Sequence, residues 1–346
     1  MQSMKHRSFF KMLGCAAGGS MLPLPGKAAA PDRLGSVLPV RQLGGKPVTV
    51  LGLGGFHIGW TGAAEARATI EAALEEGIRF FDTAESYGPH LSEERLGEWL
   101  VPAAREEIYL MTKSSAKTAR DAREAIEGSL RRLRTDHVDL WQMHALESPE
   151  DVDERLDGGV LEAALQAREE GKIRAIGFTG HASPYAFLRV MERTGGDRSP
   201  FAACQFPINP VDAAARHSFI REVLPQAEKN GIGVLAMKTL ADGRFFAAKQ
   251  MQDREVWRTE NPIVPGVVTI EDCFAFALSL PVAVLITGAE KPEFVRDKAR
   301  IVRNLQKMTD EERAALAHRV SAFAAAGSIE YYKAPDLRAG IFTPPP

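Results

Sequence analysis

Residues 65–88 read EARATIEAALEEGIRFFDTAESYG, and this stretch contains one complete unit of helix, strand and loop. Alanine, isoleucine and leucine recur at helical spacing among the charged residues of Glu65–Glu76, and Gly77 is the residue type that often ends a helix. The short apolar run Phe80–Asp82 then predicts a buried strand. The stretch therefore predicts an amphipathic helix that leads directly into a strand.

The same unit recurs along the chain. Apolar runs predict strands at Val48–Leu53, Phe80–Asp82, Ile108–Thr112, Val138–Met143, Ala175–Phe178, Ala202–Gln205, Val234–Met237 and Val284–Ile286. The first four runs are centred about 30 residues apart, which suits one strand with its crossover helix. Further amphipathic segments predict helices at Ala119–Leu133, Gly158–Glu170 and Ala213–Lys229. Eight such units indicate an α/β fold, a closed (β/α)8 barrel of the TIM type, rather than an open sheet.

Other segments lie before, within and after these units. Val40–Leu43 and Val48–Val50 predict an N-terminal β-hairpin that plugs the bottom of the barrel. The glycines and prolines of residues 240–269 predict an inserted loop, and Asp310–Ala324 predicts an extra C-terminal helix. The chain is thus divided into a leader at 1–30, a barrel domain at 31–326 and a C-terminal tail, predicted as loop, at 327–346.

A partial nucleotide-binding motif follows the first predicted strand. Gly52-Leu53-Gly54-Gly55-Phe56-His57 begins like a dinucleotide fingerprint, but its sixth residue is not glycine, and we predict no helix there. We interpret the glycines as permitting a tight turn at the barrel mouth.

The leader differs in composition from the rest of the chain. Residues 1–30 contain four lysines and arginines and no acid, then a weakly apolar stretch, Met12–Leu24, and finally Ala28-Ala29-Ala30. This order is typical of an export signal. His6-Arg7 resembles a twin-arginine signal whose first arginine is replaced by histidine. We predict export to the periplasm, with a cytoplasmic extension as the alternative.

Composition excludes several other classes of protein. The 346 residues are 45% hydrophobic and 25% charged, which is typical of a globular domain with a sizeable core. The net charge of −2 gives no indication of a nucleic-acid partner. Three scattered cysteines suit neither a disulfide framework nor a zinc site, and we expect no metal. No apolar run approaches the length of about 18 residues that an integral membrane segment needs, and the oligomeric state is left open.

Ionisable side chains follow three successive predicted strands. Asp82, Lys113 and His144 each close a strand and are spaced 31 positions apart, or one unit each, while Tyr87 lies in the loop after the second strand. Since the carboxyl ends of barrel strands meet at one rim, we expect these side chains to lie together.

The four residues form a proton donor in this interpretation. A free tyrosine has a pKa of about 10, and a neighbouring Lys113 ammonium is expected to lower it. Asp82 pairs with Lys113, and His144 aligns a substrate oxygen. This suits the protonation of a carbonyl oxygen by Tyr87, and since no side chain donates hydride, a nicotinamide cofactor is implied.

At this point the sequence resembles the aldo-keto reductase family. The matching stretches are Phe80–Gly88 (FFDTAESYG), residues 92–97 (SEERLG), Thr112-Lys113, Asp139–His144 (DLWQMH), Gly171–Thr179 (GKIRAIGFT), Gln205–Asn209 (QFPIN) and the strand end at Gly288. The resemblance implies a catalytic tetrad of Asp82, Tyr87, Lys113 and His144 and an NADP(H) molecule extended across the barrel mouth. It also implies that Thr179 and Gln205 hold the nicotinamide carboxamide.

Several positions depart from the family pattern. Thr179-Gly180 stands where the family usually has Ser-Asn, and Met237 stands where an aromatic residue commonly stacks on the nicotinamide. A thioether also packs on a ring face, and Lys238 is placed to reach the pyrophosphate.

The end of the last predicted strand bears on the choice of cofactor. Glu290, after Gly288, replaces an arginine that is frequent in the family, and its carboxylate repels a 2′-phosphate. Lys291 and Lys298 offset that repulsion. We therefore favour NADP(H), with NAD(H) possible.

The sequence predicts only a broad class of substrate. Phe56, His57, Trp60 and Trp141 are expected to line an aromatic pocket for an aldehyde or ketone, with loop residues Phe245, Phe246 and Trp257. Two alternatives stay open. One is a cofactor-bound redox-sensing or regulatory subunit with little turnover, and the other is a lyase or isomerase that uses Lys113 as a Schiff-base amine.

Overall fold

The computed structural model describes residues 29–195, 199–245, 248–251, 254–258, 267–327 and 329–337. The predicted export signal at 1–30 therefore lies almost entirely outside the described residues. Within those ranges, no helix has both the length and the apolar character needed to cross a bilayer.

Eight parallel strands close into a barrel. They are β3 (Leu51–Gly54), β4 (Phe80–Asp82), β5 (Tyr109–Ser114), β6 (Val138–Met143), β7 (Ile173–Thr179), β8 (Ala203–Pro207), β9 (Gly233–Met237) and β12 (Val284–Gly288). Each strand pairs with the next in the chain, and β12 closes the barrel by pairing with both β9 and β3. The predicted (β/α)8 barrel is confirmed.

In the part of the chain that the structure describes, two antiparallel hairpins accompany the barrel. The first joins β1 (Val40–Leu43) to β2 (Lys46–Thr49). Its Leu43 and Val48 pack inside the barrel against Phe80, Met111 and Leu140, so the predicted plug is confirmed. The second hairpin, β10 (Ala248–Met251) and β11 (Arg254–Arg258), lies in the segment predicted as a loop.

Helices surround the barrel. They are α1 (Phe56–Trp60), α2 (Ala63–Glu75), α3 (Leu91–Trp99), α4 (Val101–Ala104), α5 (Ala119–Leu133), α6 (Pro149–Asp157), α7 (Val160–Glu169), α8 (Pro184–Arg193), α9 (Pro210–Ala214), α10 (Phe219–Glu222), α11 (Leu224–Lys229), α12 (Ile270–Leu278), α13 (Pro292–Asn304), α14 (Asp310–Arg319) and α15 (Ser321–Ala326), with 3₁₀ turns at Ala241–Gly243 and Pro335–Leu337. The largest apolar cluster lies between these helices and the outward side chains of the strands.

The helix predicted at Ala213–Lys229 is wrong, because α9, α10 and α11 occupy that region as separate short helices. The buried Asp212 carboxylate accepts hydrogen bonds from the Ser218 hydroxyl at 2.9 Å and the Phe219 N–H at 3.1 Å. These bonds stabilise a turn where one continuous helix was predicted. The extra helix predicted at Asp310–Ala324 is likewise two helices, since Val320 leaves helical geometry between α14 and α15.

The glycine-rich motif does lead into a helix, contrary to the prediction, because α1 begins at Phe56. Gly55 is needed there for a close approach of two backbones. Its N–H donates to the Asp82 carbonyl at 2.6 Å, and a Cβ at this position would lie 2.5 Å from that oxygen.

The C-terminal segment 329–337 packs on the barrel through buried charges. The Lys333 ammonium bonds Asp212 at 2.7 Å and Glu330 at 2.5 Å, and all three side chains are buried. The Tyr332 hydroxyl contacts Asn209 and Glu330 in the same network. This part of the predicted tail is therefore anchored beside the ends of β8 and β9.

Candidate active site

The predicted catalytic residues meet at the carboxyl ends of the strands. Asp82 ends β4, Lys113 lies near the end of β5, and His144 follows β6 directly. Tyr87 lies in the loop between β4 and α3. All four line the same cavity, whose volume is about 1590 Å³.

Lys113 lies at the centre of this cluster. Its ammonium forms an ion pair with Asp82, donates to the Thr83 carbonyl at 2.8 Å and donates to the Tyr87 hydroxyl at 3.1 Å. The ammonium also lies 4.6 Å from the centroid of the Tyr87 ring. Because the Lys113 side chain is only 1% exposed, these protein groups replace its hydration shell.

Burial and neighbouring charges shift the pKa values of Lys113 and Tyr87 in opposite directions. Burial alone lowers the pKa of Lys113, but the Asp82 carboxylate and Tyr87 outweigh it and raise that pKa. Burial raises the pKa of Tyr87, and Lys113 opposes this rise without reversing it. The sequence-based expectation of a lowered tyrosine pKa is thus not met here, because burial outweighs the ammonium. A lysine held as a paired ammonium also disfavours the Schiff-base alternative, which needs a free amine.

His144 is held as a neutral imidazole. Burial first, and then the positive charge of Lys113, lower its pKa well below the ordinary value. Its ring packs edge-on against Tyr87 with centroids 5.7 Å apart, and Arg155 holds its carbonyl at 2.8 Å. Its Nδ1 is buried without a hydrogen-bond partner among the described residues. The His144 ring therefore lies beside Tyr87 on the wall of the cavity, where a ligand can approach both residues.

Every predicted cofactor-binding residue also lines this cavity. Among the residues that line it are Thr179, Gln205, Met237, Lys238, Gly288, Lys291 and Lys298. Thr179 and Met237 end β7 and β9, and Gln205 lies on β8 with its amide oxygen 2.7 Å from the Gln142 amide nitrogen. Buried amide and hydroxyl groups beside the tetrad suit the carboxamide of a nicotinamide.

Lys238 is already engaged with protein groups. Its backbone has a positive φ of 53°, and its ammonium lies 3.2 Å from the Asp242 carboxylate and 5.5 Å from the centroid of the Tyr332 ring. Lys238 therefore contacts Asp242 and Tyr332 on the cavity wall and is also accessible to a ligand in the cavity.

A second cluster lies where β12 leads into α13. The buried Lys298 ammonium donates to the Gly288 carbonyl at 2.5 Å, and burial lowers its pKa to about 8 although Glu290 opposes this. Glu290 lies 3.0 Å from His57 Nε2. Burial raises the pKa of Glu290, but several interactions that stabilise its charge, led by the hydrogen bond with His57, together outweigh burial, and the pKa falls to about 2. Glu290 therefore carries its charge, while Lys291 is exposed at the start of α13.

The predicted substrate residues divide into two groups. Phe56 and His57 line the cavity, and Phe56 packs edge-on against Tyr87 with centroids 5.5 Å apart. Trp60 and Trp141 are not among the described residues that line it. Trp60 lies beside Phe56, and Trp141 is fully buried in the cluster between strands and helices. Since Gln142 faces the barrel interior, strand alternation directs Trp141 outward.

Of the predicted loop residues, Phe245 is described and does not line the cavity. Phe245 is buried in a cluster with Val211 and Val320. Phe246 and the side chain of Trp257 lie outside what the structure describes.

Sequence reasoning missed part of the cavity wall. His181, Asp242, Tyr331 and Tyr332 all line the cavity. His181 Nδ1 lies 3.2 Å from the Tyr332 carbonyl, and the Tyr331 hydroxyl bonds Asp242. The position of His181 just after β7 was a usable signal, whereas nothing in the tail pattern predicted that its tyrosines reach the cavity.

The fold and the site together define a barrel oxidoreductase. The sequence profile described as "Aldo/keto reductase family" matches residues 50–326, and the chain belongs to that family. As the family and the oxidoreductase names of its relatives show, it is an NAD(P)H-dependent oxidoreductase.

Similar proteins span most of the chain. The uncharacterized oxidoreductase YqkF of Bacillus subtilis is 26% identical over 80% of this chain and 94% of its own. The 6-dehydroglucose reductase of Novosphingobium aromaticivorans is 28% identical over 76% of this chain and 90% of its own. The structure of aldo-keto reductase AKR11C1 from Bacillus halodurans, in its holo form, is 25% identical, with a TM-score of 0.65 over 82% of this chain and 96% of its own.

Proposed function

We propose that the protein reduces an aldehyde or ketone to an alcohol with NADP(H), and that Tyr87 is the general acid. The observation that carries the proposal is the 3.1 Å contact between the Lys113 ammonium and the Tyr87 hydroxyl beside the ion-paired Asp82, all within one cavity. A tyrosine held against a buried cation is equipped to give up a proton when negative charge develops nearby.

Each of the four residues has a distinct role in the proposed reaction. When bound, the reduced nicotinamide supplies a hydride for the carbonyl carbon. Tyr87 donates a proton to the carbonyl oxygen, and Lys113 stabilises the phenolate that forms. Asp82 keeps Lys113 charged and in place. Neutral His144 hydrogen-bonds the substrate oxygen and orients it toward Tyr87.

The described residues fit a nicotinamide dinucleotide. The cavity exceeds the usual range of about 300–1,000 Å³ for small-ligand sites, and it continues from the tetrad to the start of α13. Thr179, Gln205 and the packing surface of Met237 would hold the nicotinamide, and Lys238 would contact the pyrophosphate. Lys291, Lys298 and the N-terminus of α13 support the preference for NADP(H) over NAD(H).

The substrate end of the cavity has a mixed character. Phe56 offers an aromatic face, whereas His181 and Tyr331 offer polar groups. We propose a small carbonyl compound that has both polar and apolar parts. The name of the 6-dehydroglucose reductase relative supports the inclusion of sugar-derived ketones in the first tests.

Binding and turnover test the proposal separately. Purified protein should change the fluorescence of NADPH on titration, and it should consume NADPH with a panel of aromatic, aliphatic and sugar-derived aldehydes and ketones. Tight NADPH binding with no turnover on any class would contradict the proposed reductase function. Absence of binding to both NADPH and NADH would contradict the cofactor assignment itself.

We further propose that residues 1–30 direct export, that residues 31–326 form the catalytic barrel and that residues 327–346 form a tail. The basic and then apolar order of the leader supports export. Fractionation of cells that express the full chain should place a shortened protein in the periplasm. Recovery of uncleaved protein in the cytosol alone would contradict this proposal and favour a cytoplasmic protein.

A further inference from the structure

A chain of buried side chains crosses the barrel interior behind the cavity. The Gln142 amide nitrogen on β6 donates to the amide oxygen of Gln205 on β8 at 2.7 Å. The Gln205 amide opposes the rise that burial causes in the pKa of Asp82, and the Asp82 carboxylate is ion-paired with Lys113. Lys113 in turn donates to Tyr87 at 3.1 Å. Tyr87 is thus connected to Gln142 through three side chains, and Gln142 itself is not among the described residues that line the cavity.

The donor and acceptor groups of its neighbours determine how the Gln205 amide is oriented. The ionised Asp82 carboxylate only accepts hydrogen bonds, so Gln205 must turn its amide nitrogen toward it. The Gln205 oxygen then points the other way and requires a donor. The Gln142 amide nitrogen supplies that donor, and a reversed Gln205 amide would set its oxygen against the carboxylate. The orientation of Gln205 is therefore determined at both ends.

Burial of the Gln142 side chain inside the barrel is energetically unfavourable. The side chain is fully buried, and its amide oxygen has no hydrogen-bond partner among the described residues. Nearby inside the barrel, Leu140 is apolar, and Met111 offers only its sulfur, 4.0 Å from the Gln142 amide nitrogen. Leaving a buried amide oxygen unpaired is unfavourable, so an apolar residue would fill this position with less penalty.

The neighbouring strand leaves room for this side chain. A Cβ added at Gly177 on β7 would lie 2.9 Å from the Gln142 amide oxygen and 3.0 Å from its Cγ. The same Cβ would lie 2.8 Å from the Ala203 carbonyl, so glycine at position 177 leaves space both for the β8 backbone and for the Gln142 side chain.

We infer that Gln142 is a positioning residue for the nicotinamide site. It holds the Gln205 amide so that one N–H faces Asp82 and the other is presented to the cavity. This inference rests on the proposed function, in which Gln205 binds the carboxamide of the cofactor. Gln142 itself touches neither cofactor nor substrate.

The direct test is the substitution Gln142→Met, which preserves size and shape but removes the donor. The affinity for NADPH, measured by fluorescence titration, should fall by about threefold to tenfold, the range expected for one neutral hydrogen bond. In a Gln205→Met background, Gln142→Met should change the affinity by less than about twofold, because the interaction is already lost. Leu140→Met is the matched control, since it alters packing inside the barrel on the same strand and leaves the hydrogen bonds of Gln142 in place.

A second variant tests for a pH-dependent NADPH affinity, which a role of Gln142 in packing alone would not produce. In Gln142→Glu the ionised side chain cannot donate to Gln205, whereas the protonated carboxylic acid can. NADPH affinity relative to wild type should therefore recover as pH falls. This measurement also decides the matter if Gln142→Met does not fold.

Two results would overturn the inference. One is an unchanged NADPH affinity in Gln142→Met together with no pH-dependent recovery in Gln142→Glu. The other is an equal effect of Gln142→Met in the presence and absence of the Gln205 amide, because this would show that Gln142 does not act through Gln205. A wild-type protein that binds neither NADPH nor NADH would instead refute the proposed function, and this inference with it.

Discussion

The ammonium of Lys113 lies 3.1 Å from the hydroxyl of Tyr87 and is paired on its other side with Asp82. Burial raises the pKa of the Tyr87 phenol, and the ammonium opposes that rise. The tyrosine is therefore held as the neutral acid while the positive charge that stabilises its anion is already in place. This arrangement favours proton donation at the moment when charge develops on a substrate oxygen.

Substitution of Lys113 tests the ion pair. Lys113→Met should abolish turnover, and it should destabilise the fold by about 3–5 kcal/mol, because it leaves the Asp82 carboxylate buried without its partner. Urea unfolding of the purified variant measures this change. The double variant Lys113→Met with Asp82→Asn should recover much of the stability and none of the turnover. Equal stability of the single and double variants would show that Asp82 is not charged in the fold.

Substitution of Glu290 tests the choice of cofactor. Glu290→Gln removes a negative charge near Lys291 and Lys298 while keeping a side chain that can bond His57. NADPH affinity should rise by about fivefold or more, since repulsion between neighbouring charges is on the order of 1 kcal/mol or greater. NADH affinity should change by less than about twofold. Isothermal titration with both cofactors makes this comparison, and parallel changes in the two affinities would refute a role for Glu290 in discrimination.

The Glu290–His57 pair also predicts a dependence of stability on pH. The pKa of Glu290 falls in the folded state from the ordinary value of 4.5 to about 2. A carboxyl with a depressed folded pKa stabilises the fold above its unfolded pKa, and that contribution is lost as pH falls through the folded value. Wild type should therefore lose stability between about pH 4.5 and pH 2 more steeply than Glu290→Gln. Thermal melts across this range provide the measurement, and identical slopes would contradict the assignment.

The clustering of three of the four proposed catalytic residues was predictable because they repeat with the unit of the fold. Asp82, Lys113 and His144 close successive strands at an interval of 31 residues, and parallel strands in a barrel end at one rim. The position of Trp141 was predictable in principle as well. Strand alternation requires that Trp141 and Gln142 face opposite sides, and applying it would have placed the tryptophan among the helices.

Other features depend on contacts that no local pattern encodes. His57 and Glu290 pair across the closure of the barrel, where β12 meets β3, although they lie far apart in the sequence. Glu330 and Lys333 lie in a polar tail, yet both are buried against Asp212. The net pKa of Tyr87 also depends on how fully the site excludes water, which the presence of a nearby lysine does not determine.

The most direct test of the central claim is the turnover of Tyr87→Phe with NADPH and the best carbonyl substrate of the panel. Removal of the hydroxyl should reduce kcat by about 100-fold or more, the usual scale for loss of a general acid, while NADPH affinity stays within about threefold of wild type. Turnover equal to that of wild type would show that Tyr87 does not supply the proton.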